Sequence, residues 1–358
     1  MNSMARGVTS SKPFKPGTTG WTAGDLDDPR IEGKWLRGRY EIIEGVLTRM
    51  PPAYFVGGEA TLNLRDLVKA HLVSQGRPAA FAPEVDIVID ETRVLPFGEG
   101  VGGRYSLWSS VGLSIALALG WGAFEELLEG AAEMDRHVKL HDGTANIALL
   151  AAFADLFYTQ NRRAQSRAVF AYDERLRLLP DYLQQLEMES NGKSATAGGK
   201  PLSRPSAPVT WGGIGTDAQH AVFQLLHQGT TAIPVEFVAV VENEDSVDPR
   251  HHQMLLGNCF AQGAALMAGR QHEDAARAYP GDRPSVTILL QRLDARSLGA
   301  LIAFYEHRTF ADAVLLGINP FDQFGVELGK DMARALDDPE GRAKLDASTR
   351  ALIERAGL

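Results

Sequence analysis

The segment Trp211-Gly212-Gly213-Ile214-Gly215-Thr216-Asp217-Ala218-Gln219-His220 holds the densest group of chemically useful residues in this chain. Three glycines in a strand-to-helix turn let the backbone approach a ligand closely, because no Cβ stands in the way. Thr216 or Asp217 can cap the following helix, whose free N–H groups suit an anionic oxygen. The turn is therefore suited to a sugar, phosphate or carboxylate, with Gly212, Gly213, Thr216 and Gln219 as contacts. A purely structural turn uses the same glycines. The spacing is not that of a dinucleotide-binding fingerprint.

Gly102-Gly103-Arg104 sets a guanidinium beside a flexible turn. Arginine keeps its proton at working pH, so it can hold a developing oxyanion without acting as an acid; a helix-start salt bridge is the plainer use. Gln323 and Lys330 lie seven apart. On a helix they share one face, roughly 10 Å apart along the axis, and can reach one sugar-sized ligand from both ends. His220 and His227 are also seven apart, two turns on one face and too far for an i, i+4 chelate. His251 and His252 point to different faces. No metal site is expected.

These residues need a scaffold. Leu107–Leu119 predicts a buried helix; 123–136, 144–160, 176–189, 216–227, 250–268, 298–316 and 325–336 predict further helices. Ala168–Tyr172, Ile233–Val241 and Ser285–Gln291 predict strands. Strands alternating with helices imply an α/β fold with a parallel sheet flanked by helices. Ahead of it, Tyr40–Leu47 reads as a hairpin turning near Gly45, Ala60–Val73 as a helix and Val85–Asp90 as a strand, a partial α+β segment. Residues 1–19 read as a flexible tail, 20–97 as this partial segment and 98–358 as the α/β part.

The chain has 358 residues and a formal net charge of −9. Residues 1–97 hold about 12 basic and about 12 acidic side chains, so the acidity lies downstream and suggests two pieces of different origin. The negative balance argues against nucleic acid as a partner. No apolar run predicts a membrane span. The single cysteine, Cys259, fits a reducing, cytoplasmic location.

Five segments together resemble the phosphoglucose isomerase family: VGGRYSLWSSVGLS (101–114), MESNGK (188–193), WGGIGTDAQHAVFQLLHQGT (211–230), AFYEH (303–307) and INPFDQFGVELGK (318–330). The resemblance runs in family order over residues 99–358. It implies a three-layer sugar-isomerase sandwich, a cytosolic dimer, and interconversion of glucose 6-phosphate and fructose 6-phosphate through an enediol, without metal or organic cofactor. It implies that Arg104 steadies the enediolate, Gln323 contacts substrate and Lys330 serves the ring oxygen.

The pattern departs in three places. The family's commonest glycine turn carries a glutamate base where Gly213 stands, leaving Glu236, Glu242 or another carboxylate to replace it. The ring-opening histidine falls within Glu242-Asn243-Glu244-Asp245, which assigns that role to His251 as a nearby substitute. The first sugar-isomerase subdomain, with its phosphate-gripping loops, has no counterpart. In its place, residues 20–97 resemble the first half of PD-(D/E)xK endonuclease-like domains, cut before the catalytic lysine; Asp86 and Asp90 would be its acids. Two functions follow: an aldose–ketose isomerase acting on a sugar phosphate as a homodimer, or a non-catalytic sugar-phosphate-binding module, from a gene fusion, that pairs with a complete isomerase subunit.

Overall fold

The computed structural model describes residues 101–243, 248–336 and 339–357, together with the backbone of four short strands nearer the start of the chain. Those strands form two hairpins. β1 (Arg39–Ile43) pairs antiparallel with β2 (Val46–Met50), with Ile43 opposite Val46 across the expected turn. β3 (Ile87–Asp90) pairs with β4 (Arg93–Leu95). The expected helix over 60–73 and Asp86 lie outside the described residues.

From Gly103 the chain makes two 3₁₀ turns, Gly103–Trp108 and Ser110–Gly112, before α1 (Leu113–Leu119) and α2 (Trp121–Leu140). The expected buried helix over 107–119 is thus shorter and only partly buried: Leu119 is 71% exposed. α3 (Ile147–Leu156) leads to β5 (Ser166–Tyr172), and α4 (Leu179–Leu183) continues through a π-helical turn, Gln184–Glu189. Then follow β6 (Val209–Ile214), α5 (Gly215–Ala221), α6 (Phe223–Gln228), β7 (Val235–Val240), α7 (Pro249–Ala268), β8 (Ser285–Leu290) and α8 (Ala295–Leu316). α9 (Glu327–Ala335), α10 (Pro339–Lys344) and α11 (Ala347–Ala356) close the chain.

β6-β5-β7-β8 form one parallel sheet. Its inner strands alternate between two cores. Ala168, Phe170 and Tyr172 face Phe223, Leu226, Cys259 and Leu266 on α6 and α7. Val169 and Ala171 face Leu183, Leu186, Leu301 and Tyr305 on the α4 and α8 side. This is the three-layer α/β sandwich expected from the sequence, with every residue of β7 buried. Such near-continuous apolar strands mark a parallel sheet covered on both faces.

The α4/α8 side also buries charge. Arg308 on α8 donates to Glu187 at 2.5 Å and to Glu236 of β7 at 2.7 Å. Arg167 of β5 reaches Asp155 at 2.5 Å and also pairs with Glu187. Tyr305 donates to Glu236 at 2.6 Å, and Thr210 of β6 to Glu187 at 2.6 Å. Burial alone would raise the Glu187 carboxyl; the two guanidiniums and the Thr210 hydroxyl overcome it and hold it at about 2. α2 meets α8 at two glycines. A Cβ on Gly130 would lie 1.8 Å from the Arg296 carbonyl, and one on Gly299 2.0 Å from the Leu127 carbonyl.

Two expectations follow. Gly130→Ala should cost about 1–3 kcal/mol by forcing the crossing apart, whereas Gly122→Ala, with open space at its Cβ, should raise the thermal midpoint or leave it unchanged. Paired thermal melts check this. Because Glu187 titrates lower folded than unfolded, its contribution is present above pH 4.5 and lost as pH falls toward about 2. Acid titration of wild type and Glu187→Gln should show that wild type alone loses this contribution over that window.

Candidate active site

The expected site residues fall into two groups. The first centres on Arg104, which is buried in the turn after Gly102-Gly103. Its Nε donates to Ser190 Oγ at 2.7 Å, and its Nη1 lies 3.2 Å from Gln323 Oε1 and 3.3 Å from Glu189 Oε1. Its Nη2 donates to the carbonyls of Pro320 and Asp322. A guanidinium has five N–H donors; four are hydrogen-bonded here, and Nη1 also faces the Glu189 carboxylate as an ion pair. Tyr105 OH lies 2.8 Å from Ser190 Oγ, and its ring meets Phe321 edge-on at 5.5 Å. Burial raises its phenol above the ordinary value. Lys193 reinforces the arrangement: its ammonium donates to Glu189 O and Asp322 O and pairs with the Asp322 carboxylate at 3.0 Å.

Beside this cluster opens a cavity of about 1380 Å³, lined by the 181–189 turn, Gly192–Ala197 and the whole of Ile318–Val326. Glu189, Lys193, Asp322 and Gln323 are its polar wall. It is concave and mostly apolar with a few convergent polar groups, the usual form of a small-molecule site. Among the described residues no three His, Cys, Asp or Glu side chains are grouped to hold a metal ion.

Gln323 and Lys330 do not share one helical face as their spacing implied. Gln323 precedes a 3₁₀ turn, Phe324–Val326, and α9 begins only at Glu327. The cause is tertiary: Arg104 and Lys193 both capture the Asp322 carbonyl, so it is not free to start a helix. Gln323 touches Arg104, while Lys330 is exposed on α9 and does not line the cavity.

The glycine run forms the second group. Gly212 and Gly213 are within β6, not in a turn, and Gly215 begins α5. A Cβ on Gly212 would lie 1.7 Å from the Val169 carbonyl, so strand packing requires this glycine. Neither Thr216 nor Asp217 caps the helix; Ile214 is the N-cap and offers no side-chain bond, and Thr216 and Asp217 sit in its first turn. Gln219 donates to Tyr172 OH at 2.8 Å. His220 and His227 lie on separate helices, broken at Val222, and His227 Nε2 is 2.8 Å from Gln262 Oε1. His251 is exposed in the first turn of α7, and His252 Nε2 sits 2.9 Å from the Val241 carbonyl.

The two groups face different ends of the sheet. Glu187 bonds Arg167 and Thr210, each the second residue of its strand. Ser190, three residues on, therefore holds Arg104 on the side where the strands begin. Gly213–Gln219 and His251 follow strand ends. Of the possible replacement bases, Glu236 is buried and bound to Arg308 and Tyr305. Glu242, just beyond β7, accepts from Gln291 at 2.9 Å and pairs with Arg292 at 3.4 Å.

Sequence reasoning gave no role to Ser190, Glu189 or Lys193, although all three lie in the MESNGK segment. Their signal was adjacency in that motif; their meeting with Arg104, 86 residues away for Ser190, is tertiary.

The described residues thus combine a parallel α/β sandwich with an arginine–glutamine pair beside a large cavity. Residues 61–353 match the family model described as phosphoglucose isomerase, and the chain belongs to that family. The match begins at residue 61 rather than 99, so it takes in much of the stretch read as endonuclease-like. A glucose-6-phosphate isomerase of Rhizorhabdus wittichii is 71% identical over 277 residues, 77% of this chain and 55% of that protein. One from Zymomonas mobilis is 57% identical over 311 residues, 84% of this chain and 61% of that protein. The crystal structure of a glucose-6-phosphate isomerase from Chlamydia trachomatis superposes with a TM-score of 0.68 at 32% identity, covering 84% of this chain and 60% of that one. The chain spans a little over half the length of the curated relatives it matches.

Arg104→Ala removes the anchor of Ile318–Val326. It should cost on the order of 2–3 kcal/mol, the scale of charge-assisted bonds, and should raise amide exchange selectively across 318–326. Exchange mass spectrometry checks this; unchanged protection there would show that other contacts hold the segment.

Proposed function

We propose that the chain acts on sugar phosphates as an aldose–ketose isomerase, interconverting glucose 6-phosphate and fructose 6-phosphate as in glycolysis and gluconeogenesis. The observation that carries this is the bond between Arg104 and Gln323, residues 219 apart in sequence and both within family motifs. In the reaction a proton leaves C2 of the open-chain aldose and is delivered to C1, through an enediolate. Arg104 offers a fixed positive charge for that anion. Since its donors are occupied, the oxyanion takes the place of Gln323 Oε1 or Glu189 Oε1, the two partners at the cavity wall. Lys330 serves ring opening, which requires movement of α9 toward the cavity; His251, at the other end of the sheet, does not reach this cavity within one chain. Neither carboxylate considered as the base reaches this cavity within one chain: Glu236 is locked by Arg308, and Glu242 follows the end of β7, at the other end of the sheet from Arg104.

A second reading is a non-catalytic sugar-phosphate-binding module. It is favoured by Gly213, which supplies no carboxylate. In that reading the partner is a complete isomerase subunit; in the first it is a second copy. We assign the cytoplasm as location, and residues 20–97 as a separate endonuclease-like segment, of which the hairpin at 39–50 precedes the family match and the hairpin at 87–95 falls within it.

A coupled assay on fructose 6-phosphate, run beside calorimetry with the same sugar, tests both. Turnover lowered about 10²–10³-fold by Arg104→Ala is the expected result. Binding without turnover selects the module, and neither binding nor turnover overturns both.

A further inference from the structure

Lys193 is the only cation lining the cavity of the candidate site among the described residues. A lysine so placed, in a chain read as acting on sugar phosphates, invites assignment as the phosphate anchor. Its contacts point elsewhere. An ammonium carries three N–H donors, and three oxygens surround this one: Glu189 O at 2.8 Å, Asp322 O at 2.6 Å and an Asp322 carboxylate oxygen at 3.0 Å. The Lys193 side chain is only 15% exposed. No donor is left for a ligand.

Arg104 grips the same two residues from the other side. Its Nη1 meets the Glu189 carboxylate at 3.3 Å, and its Nη2 donates to the Asp322 carbonyl at 3.1 Å. Glu189 thus gives its carboxylate to Arg104 and its carbonyl to Lys193. The Asp322 carbonyl accepts from both cations, which its two lone pairs allow. Arg104, Glu189, Lys193 and Asp322 close a ring of two positive and two negative side chains. Gln323, which meets Arg104 Nη1 at 3.2 Å, directly follows Asp322.

We propose that Lys193 is a positioning residue and not a ligand contact: it clamps the Asp322–Gln323 peptide to the end of the π-helical turn and so sets where Gln323 meets Arg104. Its part in the reaction rests on the function proposed above; the clamp itself does not. The helix end suits this use. Glu189 lies in the last turn, where carbonyls lack intrahelical donors, and a cation there is favoured by the helix dipole. When an anion displaces the Glu189 carboxylate from Arg104, Lys193 still holds the Glu189 backbone. The exchange then turns a side chain and leaves the cavity wall in place.

The test compares wild type, Lys193→Met, Asp322→Asn and the double variant, each as the full chain. Lys193→Met alone leaves the Asp322 carboxylate unpaired at the wall. The double variant removes one charge of each sign and keeps the net charge of the wall. Amide exchange across 318–326 should rise on the order of 10- to 100-fold in Lys193→Met. It should rise less in Asp322→Asn, which keeps the carbonyl bonds and serves the test even if Lys193→Met fails to fold. The double variant should exchange like Lys193→Met, because the two side chains act on one contact. Unchanged exchange in both single variants would overturn the clamp.

A coupled assay on fructose 6-phosphate separates positioning from anchoring. In the double variant kcat should fall by up to about 10²-fold, the cost of misplacing a contact by about an ångström, with KM little changed. A raised KM at unchanged kcat is the mark of lost uniform binding; it would make Lys193 a phosphate anchor and overturn the proposal. If exchange responds and wild type shows no turnover, the clamp stands and the proposed function fails.

Discussion

A guanidinium with almost no solvent contact holds this fold in register. Arg308 lies within the sandwich, between α8, the turn after α4, and β7, and it meets Glu187 and Glu236 from different elements. Arg167 adds β5 and α3 to the same network through Glu187 and Asp155. Burying such ions costs several kcal/mol each, and hydrophobic packing of the same volume could stabilise as well. What the network adds is specificity. A one-residue slip of β7 turns Glu236 to the other face of the sheet, away from Arg308, and leaves charges uncompensated in the core. Few alternative registers survive that penalty.

That register determines where chemistry can occur. Because Glu187 is tied to the starts of β5 and β6, the chain leaving the π-helical turn must emerge at that end of the sheet. Ser190 and Lys193 are delivered there, and Arg104 is drawn to them with Ile318–Val326. The glycine run emerges at the opposite end. Two motifs of one family thus serve two ends of one sheet, and Gly212 is explained by contact with the Val169 carbonyl without reference to any ligand.

The sheet was largely legible in the sequence. Ala168–Tyr172 and Ile233–Val241 are short apolar runs flanked by helical patterns, which is the signature of parallel strands buried on both faces. β6 was not legible, because Thr210-Trp211-Gly212-Gly213 lacks β-branched weight and its glycines signal a turn. The use of Gly212 as a close-packing residue depends on β5, which lies far upstream. The delay of α9 to Glu327 was hidden for a related reason: it follows from tertiary capture of the Asp322 carbonyl, while periodicity reports only local preference. For the site, Arg104 and Gln323 were legible as types with suitable chemistry. Ser190 and Lys193 were not, because their partners lie 86 and 129 residues away.

The saturation of Arg104 has a further implication for how a ligand could be received. A free guanidinium pointing into a cavity would be hydrated and mobile, and ordering it on binding would cost entropy. Here three of its contacts, to Ser190 and to the Pro320 and Asp322 carbonyls, come from well-packed backbone or a buried hydroxyl and fix the plane of the group. The remaining two, from Gln323 and Glu189, come from side chains at the cavity edge that can turn into solvent. An incoming anion therefore exchanges with an exposed amide or carboxylate, and replacing Glu189 removes a negative charge from the guanidinium just as another arrives. The charge balance at Arg104 is then nearly the same before and after, and the reorganisation required is confined to two side-chain rotations.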